Sequence, residues 1–249
     1  MNYKKIIIFG GTSEISLELL NLYSNETEKF IIFCRDKKKF LKLLDEKNFL
    51  ISNKEKVEIF ETDLYNLDEN LKIVHNFKNE ISGIFWIAGY TGDGIKEYEE
   101  IDQAEKNIKI NFLNPVIILS EVSKKMIKDK NSFIAAFTSV AGLRGRKKLL
   151  YYSSSKSGMI AFLSALRQKL FKDKILVNTI IPGYMNTKPF RDLKQKAPTL
   201  LVTNPKIVAS ILKRSIDNRK EIVYINNFWR IIMLAIKIIP ERIFKRFSF

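Results

Sequence analysis

The 249-residue chain holds one cysteine, Cys34, and one histidine, His75. A lone cysteine excludes an intramolecular disulfide and favours a reducing, cytoplasmic setting. No His, Cys, Asp or Glu cluster stands at ligand spacing, so no metal site is expected, and His75 reads as a surface residue on a polar helical pattern. Acidic side chains are scarce. Against 43 Lys and Arg stand 27 Asp and Glu, leaving a formal charge of +16. That balance suits an anionic partner, but the cations are scattered and no nucleic-acid module is visible, so nucleic acid is not the expected one. The first apolar run, after Lys4 and Lys5, stops at Phe9, too short for a signal-peptide core. No Pro-, Gly- or Ser-rich linker and no repeat divides the chain.

With 46% hydrophobic residues, a chain of this length can bury a single large core. Apolar, β-branched runs predict strands over 4–9, 30–33, 56–62, 83–88, 131–138, 175–180 and 221–224. Helical patterns fill the gaps: one from Ile15, then 36–48, 67–77, a long one over 102–128, 151–172 and 205–217. Such alternation predicts a single-domain α/β fold, a Rossmann-type doubly wound parallel sheet over 1–226. An amphipathic helical tail over 227–249 follows it. Ligands of this architecture sit outside the C-terminal ends of the strands.

Tyr152 and Lys156 lie one helical turn apart on one face. A tyrosine hydroxyl titrates near ~10, and an ammonium beside it can bring that down by roughly 1–3 pH units. The pair suits proton transfer to and from a carbonyl oxygen, although the spacing also arises in ordinary solvated helices. At the other end of the chain, the first strand runs into Gly10-Gly11-Thr12-Ser13-Glu14-Ile15-Ser16. Strand, glycine turn and helix start form a cradle for a phosphate. The three-glycine fingerprint is incomplete, with Glu14 and Ser16 in two of its places.

These features, in this order, resemble the short-chain dehydrogenase/reductase family over nearly the whole chain. The resemblance maps the first glycine turn onto Gly10, Glu14 and Ser16, and the adenine contact onto Asp63 and Leu64. The segment after the fourth strand survives as Ala88-Gly89 behind Trp86-Ile87. Asn111, Ser139, Tyr152 and Lys156 match the catalytic tetrad, and Pro182, Gly183 and Thr187 match the segment that meets the nicotinamide amide. Within the family, Gly-Gly-Thr-Ser-Glu-Ile, the Lys-Ala-Pro at 196–198 and the ending Trp229-Arg230-Ile231 to Arg246 look like one subgroup. That subgroup is the reductase component of decaprenylphosphoryl-ribose 2′-epimerase and its bacterial relatives, which reduce a 2-keto pentose on a polyprenyl phosphate made by a partner oxidase.

The resemblance implies that Tyr152 donates the proton, Ser139 holds the carbonyl oxygen, Lys156 tunes the tyrosine and holds the nicotinamide ribose, and Asn111 props a proton-resupply path. It implies that Gly10, Thr12, Ser13, Glu14, Ile15, Ala88 and Gly89 line the cofactor. Arg35, after the second strand, points to NADP through a 2′-phosphate, while Asp36 next to it keeps NAD as the alternative. The lid cations Lys188, Arg191, Lys194 and Lys196 and the apolar, basic tail suit a lipid-linked phosphate and a peripheral place on the inner face of the membrane. The tail could equally complete the core or a homodimer contact. A soluble reductase of lipid-like carbonyls and a non-catalytic scaffold are the alternative functions.

Overall fold

Tyr3–Phe9 forms β1, and Ile6 to Phe9 are fully buried. A strand covered on both faces must be apolar throughout, and its side chains alternate between two cores. In the computed structural model, which describes residues 2–46, 54–92, 98–192 and 197–247, Ile6 and Ile8 enter one core while Ile7 and Phe9 enter the other. The chain continues through α1 (Glu14–Tyr23), β2 (Thr27–Cys34), α2 (Lys37–Glu46), β3 (Val57–Glu61), α3 (Leu67–His75) and β4 (Ile81–Trp86). Then come α4 (Ile101–Ile108), α5 (Asn114–Ser123), β5 (Phe133–Phe137), α6 (Leu150–Leu170) and β6 (Leu176–Pro182). A short pair, β7 (Tyr184–Met185) and β8 (Val202–Thr203), brackets α7 (Lys188–Asp192). Then α8 (Pro205–Asp217), β9 (Ile222–Ile225), α9 (Phe228–Ile238) and α10 (Glu241–Phe244) complete the described chain.

The main sheet has seven parallel strands in the order β3-β2-β1-β4-β5-β6-β9. Helices α1, α2 and α8 cover one face; α3, α5 and α6 cover the other. The order reverses between β1 and β4, and a crevice opens there at the C-terminal strand ends. The turn after β1 begins with Gly10 and the turn after β4 carries Ala88 and Gly89.

One expectation is corrected. The long helix over 102–128 is two helices joined by a π-turn at Lys109–Leu113, and α5 stops at Ser123. Pro115, in the first turn of α5, suits a helix start because its missing N–H is not needed there. Helix α2 is described to Glu46; the end of the 36–48 expectation, the lid cations Lys194 and Lys196, and Phe249 lie outside the described residues. The β7–β8 pair was not expected, since two-residue strands leave no periodicity to read.

The tail packs on the sheet. Trp229 and Met233 of α9 are buried with Val140 and Ile181, and the Trp229 indole Nε1 donates to the Leu201 carbonyl at 3.2 Å. A Cβ added to Gly183 would fall 1.9 Å from that Nε1, so only glycine admits the ring. Arg144 seals the end of α9 by donating to the carbonyls of Ile236, Lys237 and Ile239 at 3.3, 3.0 and 2.9 Å. It also pairs with Glu241 at 2.7 Å and lies 4.1 Å from the Phe244 ring centroid. Those carbonyls are the orphans of a helix C-terminus, where a guanidinium is the favoured partner. No described helix is long and apolar enough to cross a membrane.

Trp229→Ala should therefore lower stability by about 3–5 kcal/mol, the usual cost of emptying a buried tryptophan site. Urea unfolding measures it, and a loss below about 1 kcal/mol would show that the tail is not part of the core.

Candidate active site

The first turn shows how an incomplete fingerprint is accommodated. Gly10 has φ +98, and a Cβ there would stand 2.9 Å from the Ala88 amide nitrogen, so both the backbone and the space demand glycine. Ser13 caps α1, its Oγ accepting from the Ile15 amide at 3.3 Å. Ser16, in place of the last glycine, is fully buried and donates its hydroxyl to the Gly10 carbonyl at 2.7 Å. The side chain that breaks the pattern thus closes the turn. The Glu14 carboxylate pairs with Arg191 of α7, which also donates to the Asn186 carbonyl at 2.8 Å. This contact ties the Gly10 turn to the segment after Pro182-Gly183.

Past β2, Arg35 is exposed, while Asp36 Oδ1 accepts from the Lys39 amide at 2.7 Å and caps α2. Past β3, Asp63 Oδ1 accepts from the Tyr65 amide at 2.9 Å, and Leu64 is buried beside it. Thr12 is partly exposed at the first turn and Ile15 is buried under it. Thr187 starts α7, its carbonyl accepting from the Phe190 and Arg191 amides. All these residues lie at C-terminal strand ends, as expected.

The catalytic candidates converge at the ends of β4 and β5. Ser139 follows β5 and opens a 3-10 turn at Val140–Leu143, with its Oγ accepting from the Ala141 amide at 3.1 Å. Tyr152 and Lys156 rise from the first turns of α6, and Ser139 stands near enough to the Tyr152 hydroxyl to favour its ionised form. Lys156 is buried and donates from Nζ to the Phe137 carbonyl at 3.2 Å. A Cβ on Gly89 would lie 3.4 Å from Asn111 Oδ1 and 3.5 Å from Lys156 Nζ, which places these three residues around one point.

Asn111 sits in the π-turn. Its Nδ2 donates to the Tyr90 carbonyl at 2.6 Å and to Asn107 Oδ1 at 2.7 Å, and its Oδ1 accepts from the Tyr90 amide at 3.0 Å. The extra residue of a π-turn commonly re-aims a functional side chain, and here it braces the loop after β4. Sequence reasoning missed two partners. Asn107 is fully buried, and Asn114, also buried, donates to the Leu64 and Tyr65 carbonyls at 2.8 and 2.9 Å. The signal was present: 107, 111 and 114 are spaced i, i+4, i+7, an amide stripe on an otherwise apolar helix face.

The electrostatics correct one expectation. Burial pushes the Tyr152 hydroxyl above its ordinary value of 10, against the smaller lowering from Ser139. Lys156 stands 5.7 Å from the tyrosine ring centroid. Its own affinity for a proton falls instead, to about 8, because burial penalises the ammonium. At neutral pH both groups therefore hold protons, and the site is poised to donate one.

The family profile described as short chain dehydrogenase matches residues 4–198. A 3-oxoacyl-(acyl-carrier-protein) reductase of Homo sapiens is 28% identical over 109 residues, covering 44% of this chain and 46% of that protein. An acetoacetyl-CoA reductase of an Acinetobacter species is 34% identical over 100 residues, covering 40% of each. The chain thus spans about half the length of the curated relatives it matches. Among solved structures, a short chain dehydrogenase from Burkholderia cenocepacia in complex with NADP superposes with a TM-score of 0.79. It is 14% identical and covers 98% of this chain and 97% of that one, a likeness of fold.

The lowered Lys156 value has a consequence for stability. Between pH 8 and 10.5 the unfolded chain, where this lysine titrates near its ordinary 10.5, binds more protons than the folded one, so this group makes stability rise with pH. Lys156→Met should be more stable than the wild type at pH 7, and the gap should shrink toward pH 10.5. Denaturant midpoints of the two proteins across that range measure it; a constant gap would mean that the buried ammonium carries no penalty.

Proposed function

The chain belongs to the short-chain dehydrogenase family, and from that premise we propose that it is an NADPH-dependent ketone reductase. The observation that carries the reading is the convergence of Ser139, Tyr152, Lys156 and Asn111 at the strand ends next to the Gly10 turn. A binding or scaffold protein of this fold would have no use for a buried ammonium beside a protonated tyrosine.

The residues present fit the cofactor. The turn at Gly10, Thr12, Ser13 and Ile15 and the positive end of the α1 dipole suit a pyrophosphate. Glu14, whose carboxylate is held by Arg191, offers its backbone N–H there. Arg35 suits a 2′-phosphate, and Asp36, engaged as a helix cap, is the weaker candidate for an NAD ribose. Asp63 and Leu64 suit the adenine end; Ala88, Gly89, Lys156, Pro182, Gly183 and Thr187 suit the nicotinamide end. When bound, NADPH supplies a hydride to the ketone carbon. Ser139 Oγ steadies the carbonyl oxygen as charge grows on it, an effect typically worth a few kcal/mol. Tyr152 gives that oxygen its proton, and the nearby Lys156 ammonium stabilises the tyrosinate left behind. Asn111 fixes the loop at Tyr90 and so the distance between Gly89 and Lys156.

The substrate we infer is a keto-sugar, of the 2-keto pentose kind, carried on a polyprenyl phosphate for cell-envelope polysaccharide synthesis. An oxidase partner would supply the ketone, and the reductase would rest on the cytoplasmic face of the membrane, as a homodimer or beside that partner. The subgroup resemblance and the basic, apolar segments at 188–196 and 227–249 support this reading. A second reading, reduction of a 3-oxoacyl thioester, is favoured by the names of the matched relatives. NADPH consumption with both substrate classes separates the two.

Tyr152→Phe should remove nearly all ketone reduction and leave NADPH affinity within about threefold by fluorescence titration. Retained turnover would overturn the reading. Arg35→Ala should weaken NADPH binding by about 1.5–3 kcal/mol, the worth of a charged hydrogen bond, and leave NADH unchanged. Equal losses for the two cofactors would move the choice to another residue.

A further inference from the structure

Helix α9 is apolar on two sides. Trp229 and Met233 face the core, yet Ile231, Leu234 and Ile238 on the far side are 67, 67 and 75% exposed. A helix that only completed a core would turn a polar face to water. The aliphatic stripe is instead edged by Arg230 and Lys237 and continued by Ile243 of α10, 51% exposed, among Arg242, Lys245 and Arg246. All five cations are exposed, and among the described residues none is ion-paired. The one acidic residue of the segment, Glu241, is taken by Arg144.

We propose that this outer face of α9 and α10 docks on an anionic lipid bilayer. An aliphatic stripe flanked by unpaired cations is the pattern of a helix lying in a membrane interface. A second copy of the chain is the poorer occupant, because a two-fold contact sets the same patch against itself and would oppose five cations with five. The dock cannot move apart from the site. Arg144, which clamps the end of α9, is five residues beyond Ser139, and Trp229 lies against Gly183. The bilayer would thus meet the rim formed by the Ser139 and Gly183 turns. That this serves a lipid-linked substrate rests on the reading above; the dock itself does not.

The test is co-sedimentation of the full chain, without ketone or cofactor, with vesicles of phosphatidylglycerol and phosphatidylcholine or of phosphatidylcholine alone. Binding should occur on the anionic vesicles only and fall at least tenfold in high salt, since exposed charges are screened. The exposed triple variant Ile231→Ser, Leu234→Ser, Ile238→Ser should lose at least tenfold in binding with an unchanged melting curve. The charge reversals Lys237→Glu and Lys245→Glu, a second route if the triple variant unfolds, should lose as much. Absent wild-type binding, or equal binding by the folded variants, would overturn the dock. So would a dimer, seen by light scattering, that the triple variant converts to monomer, which would give the face to a second copy. Because no ketone is present, such a failure leaves the reductase reading standing. A protein that binds the vesicles but, in a separate assay, oxidises no NADPH with any ketone of the two substrate classes would overturn that reading instead.

Discussion

The burial of one ammonium organises this molecule's chemistry. Lys156 is withdrawn from water on the inner side of α6, where the Phe137 carbonyl accepts from it at 3.2 Å. A charge so placed is costly unless its surroundings are fixed. The fixing is visible in the neighbours: the 3-10 turn after Ser139 lies against the start of α6, Gly89 leaves room for Nζ, and the amides of Asn107 and Asn111 hold the loop at Tyr90. Burial makes the ammonium readier to lose its proton and Tyr152 more reluctant to lose its own. That opposition suits a donor awaiting a carbonyl oxygen.

The same economy of support extends to the tail. The turn bearing Ser139 continues directly into Arg144, whose guanidinium gathers the loose carbonyls at the end of α9. Met233 and Trp229 then fill the space against Val140, Ile181 and Gly183. The Ser139 turn, the Gly183 turn and the tail are one packed unit. Glu14 and Arg191 join the Gly10 turn to α7. Helix α7 is therefore anchored at the Gly10 turn, while the tail is anchored at the Ser139 turn.

Much of this was legible in the sequence, for physical reasons that differ by element. Central strands such as Ile6–Phe9 and Phe133–Phe137 announce themselves, because a strand buried on both faces must be continuously apolar. Gly10, Ser139, Tyr152 and Lys156 could be singled out because the chemistry expected of them requires those residue types at those spacings. The break in the 102–128 helix was not readable, since a π-turn inserts one residue without changing the apolar period enough to notice. The role of Ser16 was hidden as well: a missing glycine reads as a defect until its hydroxyl is seen on the Gly10 carbonyl. The direction of the tyrosine shift was misjudged because spacing shows a neighbouring charge and not how deeply the pair is buried. Composition marked the tail as apolar and basic, but only packing separates its core face from its outer face.

On the function proposed above, Ser139, Tyr152, Lys156 and Asn111 direct a hydride to a ketone carbon. Single-turnover reaction of the protein with NADPH deuterated at the nicotinamide C4 position, over a panel of keto-sugar and 3-oxoacyl substrates, tests it most directly by mass spectrometry of the product. One deuterium is expected on the new carbinol carbon, from one face of the nicotinamide only, with the hydroxyl proton drawn from solvent. Unlabelled product, or no alcohol from any ketone despite bound NADPH, would contradict it.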